Sequence, residues 1–90
     1  MALVLSLKEK EIFYIQDIPF IVREVSKDFF YVDNLITNDR HRIDSTKMVE
    51  LYPEVRASAG HYTKYKTVKL VIEAPKDIII QREERRNEDT

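Results

Sequence analysis

The amino-acid sequence predicts a small, mainly β protein, and three observations carry that prediction. Six short segments are crowded with β-branched and aromatic residues. Charged or turn-forming residues separate them. Only one stretch has a helical look, and it is about two turns long. Ninety residues form one compact domain, 1–90, with no room for a second.

The strand candidates follow in chain order. Leu3, Val4 and Leu5 open the chain, and Ile12, Phe13, Tyr14 and Ile15 form the second segment. Phe20, Ile21 and Val22 begin a third that runs to Val25. Phe29, Phe30, Tyr31 and Val32 make the fourth. Val68, Leu70 and Ile72 alternate with Lys69, as a half-buried strand requires. Ile78, Ile79 and Ile80 form the sixth. The helical candidate starts at Asp44 or Ser45 as cap, carries Met48, Val49, Leu51 and Tyr52, and stops at Pro53. With one glycine in the chain, the tight turns are expected to lean on Asn and Asp, which tolerate a left-handed backbone. Residues 56–66 have the weakest pattern and hold that glycine, so they read as a mobile loop. Residues 82–90 contain no apolar side chain and read as a short polar helix or tail.

Composition narrows the function classes. There is no cysteine, which rules out a disulfide framework and a Cys-based zinc site. The apolar run from Ala2 to Leu7 is broken by Lys8, Glu9, Lys10 and Glu11, too short for a leader or membrane span, so a cytoplasmic protein away from membranes is expected. Net charge is −1, but residues 56–72 carry Arg56, Lys64, Lys66 and Lys69 without one acid. Tyr62 and Tyr65 lie among those cations and could stack on unpaired bases, or simply shield an apolar surface. His41 and His61 lack the spacing of a ligand pair, so no metal is expected. No nucleophile motif, phosphate loop or matched carboxylate pair stands out, so neither catalysis nor a cofactor is expected.

Two parts of the chain resemble the carbon storage regulator (CsrA-like) family. Residues 68–84 contain Ala74-Pro75-Lys76-Asp77, then Ile78-Ile79-Ile80, then Gln81-Arg82-Glu83-Glu84, and follow the family pattern without a gap. Residues 3–17 are similar more loosely, through Leu3-Val4-Leu5-Ser6 and Ile15-Gln16-Asp17, and 18–25 look like the family's third strand. Residues 26–66 replace a tight turn and constitute an insertion within the domain. Loop-closure cost grows slowly with length, so a surface insertion is tolerable there. Its many apolar residues, among them Phe29, Phe30, Leu51 and Tyr52, predict a folded strand pair plus a short helical turn.

The resemblance implies an interlocked β-sheet homodimer in which the first strand of one subunit pairs with the last strand of the other. It implies a post-transcriptional regulator that binds single-stranded GGA in hairpin loops of messenger leaders or small RNAs and controls translation. The RNA-binding positions it implies are Leu5, Ser6, Leu7 and Lys8 on the first strand, Ala74 and Pro75, and Ile80, Gln81, Arg82 and Glu83 at the end. Leu7 stands where the family places an arginine, and Lys10, Gln16, Lys27 and Val71 stand where glycine is usual. Two alternatives stay open. One is a dimer of the same type with altered or lost RNA specificity, acting through a protein partner docked on the insertion. The other is an unrelated SH3-like small barrel, with a meander formed from residues 20–25, 29–34 and 42–44.

Overall fold

A computed structural model describes residues 2–60 and 67–83. All nine elements among them are strands: β1 Ala2–Lys8, β2 Ile12–Ile15, β3 Ile18–Arg23, β4 Phe29–Asn34, β5 Arg40–Asp44, β6 Val49–Tyr52, β7 Val55–Ala59, β8 Thr67–Glu73 and β9 Ile80–Arg82. They form two antiparallel sheets. Sheet A has the order β1-β8-β7-β6, and sheet B the order β5-β4-β3-β2-β9. The sheets meet along β5, which lies against β6 and β7.

Alternation builds the core. Leu5 and Leu7 of β1 face inward, as do Val68, Leu70 and Ile72 of β8, while Val4, Ser6 and Lys8 turn the other way. Phe13 and Phe20 are opposite one another in the β2–β3 ladder and stack with ring centroids 5.5 Å apart. One cluster joins both sheets, and side chains from β1 through β8 enter it.

Residues 26–66 supply β4, β5 and β6, β7, two strands to each sheet. Phe30, Val32, Ile43, Leu51, Val55 and Ala57 from this segment are all buried in the shared cluster. The meander of β3, β4 and β5 exists, as the small-barrel alternative foresaw, and it continues through β2 to β9.

Three expectations need correction. The helical turn around Met48–Tyr52 is strand β6, paired with β7 and burying Leu51. Asp44 caps no helix: its carboxylate accepts hydrogen bonds from the Thr46 backbone N–H at 2.9 Å and the Thr46 hydroxyl at 2.7 Å, a local turn that the side chain closes on its own. The mobile loop expected over 56–66 is strand β7 as far as Ala59, and 61–66 lie outside the described residues. The turns rest on Asn and Asp only in part. Between β4 and β5 the Asn34 Oδ1 accepts from the Ile36 and Thr37 N–H groups and Asn38 has positive φ, and Asp44 closes its own turn. Positive φ falls on Lys10, Gln16, Glu24, Asn38 and Glu54, only one of them Asn. Two of these, Lys10 and Gln16, are positions where the resemblance expects glycine.

The last strand is also displaced. It covers Ile80–Arg82 rather than 78–80, because Ile78 and Ile79 belong to the approach, where Ile79 exchanges bonds with Gln16. The polar helix or tail expected over 82–90 begins in β9, and 84–90 lie outside the described residues. Within the chain β1 pairs with β8 and β9 with β2, so no ladder joins the first and last strands to one another.

Candidate nucleic-acid interface

The ten candidate positions do not share one face. Leu5 is 7% exposed and Leu7 1%, both within the core. Their side chains are out of reach of any ligand, and only their backbone remains available. Ser6 and Lys8 lie on the solvent side of sheet A, opposite Lys69 and Thr67 of β8. Residues facing each other in an antiparallel ladder share one surface. Ser58 of β7 continues the same face beside Val71. The close approach there is built around the single glycine: a Cβ on Gly60 would sit 3.1 Å from the Lys69 Cβ and 3.3 Å from a Val71 methyl.

Charge divides that face along its length. Lys8 and Lys69 mark one end, while Glu73 and Glu50 sit with Arg56 at the other. Ala74 and Pro75 follow Glu73, so they belong to the acidic end. Six residue steps along β1 separate Ala2 from Lys8, which is about 20 Å of backbone.

Arg82 lies opposite Phe13 in the β2–β9 ladder, so it shares the inward side of sheet B with Phe13 and Ile80 and is half-buried on the edge strand. Strand β2 begins directly after the β1–β2 turn. That turn is well fixed. The Glu11 N–H donates to the Lys8 carbonyl at 3.0 Å and the Lys10 N–H to the Val22 carbonyl at 2.7 Å. The Glu11 carboxylate accepts from the Lys8 N–H at 2.7 Å, and the Glu9 carboxylate from the Val25 N–H at 2.9 Å. Lys8 and Lys10 are therefore held in a fixed turn where the chain passes from sheet A to sheet B. Ile80 faces Ile15 and packs on the core, Gln81 faces Tyr14, and Glu83 follows Arg82 at the rim.

Thr67 and Ser58 were not singled out from sequence, although the inward alternation of Val68, Leu70 and Ile72 already places Thr67 beside Lys69 on the outer side. Lys64, Lys66, Tyr62 and Tyr65 lie outside the described residues. Among the described residues no group of His, Cys, Asp and Glu could hold a metal ion. No described helix is long and apolar enough to cross a membrane. Comparisons with family models, curated proteins and solved structures return no match.

Proposed function

We propose that the chain is a post-transcriptional regulator that binds GGA-containing hairpin loops of messenger leaders or small RNAs and controls translation by occupancy, without chemistry. The observation that carries this reading is the outward row in which Ser6 opposes Lys69 and Lys8 opposes Thr67. Ser6, Lys8 and Lys69 are outward members of the two segments that resemble the carbon storage regulators. Lys8 and Lys69 would neutralise phosphates, the hydroxyls would bond sugar or phosphate oxygens, and the Arg82 fork suits a guanine edge. The proposal includes a homodimer with two such sites.

Selection of RNA ligands from a random pool tests it. Enrichment of GGA in loops, lost with Lys8→Ala and Arg82→Ala in a folded protein, is the expected result. A pool without an enriched motif would overturn the sequence-specific reading. The second reading, a dimer of this type acting through a protein partner, is favoured by one feature. Strand β1 is an outer strand of sheet A, and its Val4 is 52% exposed where a partner could add a strand.

A further inference from the structure

A second cationic site lies on the strands of the 26–66 segment, away from β1 and β9. Arg40, Arg42, Asp44, Thr46 and Lys47 line an open cleft of about 480 Å³ beside β5 and the turn that follows it. The two arginines differ in how they are held. Arg40 stacks over the Tyr31 ring at 4.7 Å and is fully engaged with carboxylates. It grips Asp33 through two bonds of 3.0 and 3.1 Å and reaches Glu24 at 2.6 Å. Its charge is spent within the fold.

Arg42 rests on an aromatic ring but is left open. Its guanidinium carbon lies 4.2 Å from the centre of the Phe29 ring. Its side chain is 58% exposed, and its one ion pair among the described residues is a loose 3.9 Å approach to Asp44. The Asp44 carboxylate is meanwhile occupied by both Thr46 donors. Lys47 stands exposed on the same turn. Two cations thus face one preoccupied carboxylate, and the arginine head is seated on a ring. This arrangement fits a phosphodiester, whose oxygens a planar fork can engage as a pair.

We propose that this cleft holds the phosphate backbone of a bound RNA strand through Arg42 and Lys47, without reading its sequence. The inference rests on the RNA-binding reading above and extends its footprint onto β5. Phosphate contacts position a strand, while base contacts near Arg82 would specify it, so the two sites are separable by experiment.

The test compares two probes, a uridine homopolymer and a GGA hairpin, by fluorescence anisotropy across a salt series. The double variant Arg42→Gln/Lys47→Ala should weaken both probes by the same factor, roughly tenfold, and lower the log–log salt slope by about 1.4. Arg42→Lys should recover part of the affinity. Lys47→Ala alone alters an exposed turn residue and should remove about half of the slope change, which keeps the test valid if the double variant melts early. Unchanged uridine binding and slope would overturn the inference, as would a loss confined to the GGA hairpin. A wild-type chain that binds uridine without preferring GGA defeats the regulator reading and leaves the cleft to stand on its variants. A wild-type chain that binds neither probe defeats both.

Discussion

Leu7 stands opposite Val68 in the β1–β8 ladder, and both side chains enter the core, Leu7 at 1% exposure. The resemblance places arginine at this position, so Leu7→Arg would be the natural way to restore an RNA contact. The fold argues otherwise. A guanidinium at Leu7 would be pressed among apolar side chains or would force β1 to slip by one residue, which turns every side chain to the wrong face. Leu7→Arg is expected to destabilise the protein by about 4 kcal/mol or more, read from the urea midpoint, and to leave RNA affinity no tighter. A variant of wild-type stability with improved GGA binding would show that β1 can present this residue outward.

The inserted segment is expected to be indispensable. Deleting 26–66 removes β4 to β7 and, among the described residues, six buried apolar side chains, leaving β1-β8 and β9-β2-β3 with exposed inner faces. Bridging the gap with a tight turn should give an insoluble or uncooperative chain. Dispersed amide resonances and a sharp thermal transition in the deletion would contradict this.

How far the sequence could be read depended on burial pattern. Aliphatic and aromatic runs located β1, β2, β3, β4 and β8 well, because both pleat and burial favour those residues. β5 was harder: only Ile43 in Arg40-His41-Arg42-Ile43-Asp44 is apolar, as befits an outer strand whose outer face is solvated. β6 was misread because four apolar residues just before Pro53 fit two helical turns as well as a strand. The hairpin that decides between them depends on Glu54 at φ 67°, a conformation no propensity assigns to glutamate. At the interface, residue types were legible but facing was not. The alternation separating Ser6 and Lys8 from Leu5 and Leu7 needs the β8 register to say which set is inside.

The positive-φ turns offer a stability test. Lys10 at φ 75° and Glu54 at φ 67° carry a Cβ where glycine would be unstrained. Lys10→Gly and Glu54→Gly should each stabilise by about 0.5–1 kcal/mol, after allowing for the freer unfolded chain. Gln16→Gly should gain almost nothing. It relieves φ 56° but loses the side-chain bond accepted from the Ile79 N–H at 2.9 Å. Equal gains at all three positions in chemical denaturation would refute this distinction.

Asp44 supplies a pH-dependent contact beside the cleft. The Thr46 hydroxyl, and then its backbone N–H, hold the Asp44 carboxyl below its ordinary value, with help from the Arg42 and Lys47 charges. A depressed folded value favours the native state above the unfolded value, and that contribution fades as pH falls through the folded one. The loss is therefore expected in acid, below the usual carboxylate range. Thr46→Val should move the Asp44 titration back upward when followed by NMR. An unmoved titration would mean that the hydroxyl has no part in it.

The proposed homodimer could be built by exchange of strands already paired within the chain. β1 on β8 and β9 on β2 are outer-strand pairings at opposite sheet edges, and the same contacts can form between two copies. The hinge for β1 is the three-residue link to β2, where Lys10 sits at φ 75°, and short strained hinges favour exchange. Ser6 and Lys69 face each other across that ladder, within the reach of a disulfide, and the chain has no cysteine to interfere. Oxidised Ser6→Cys/Lys69→Cys should therefore give interchain links whose yield rises with protein concentration, along with a melting temperature that rises in the same way. Adding Lys10→Gly relieves the hinge and should shift the links toward the intrachain form. Intrachain links alone at every concentration would remove strand exchange while leaving the RNA site on a single chain intact.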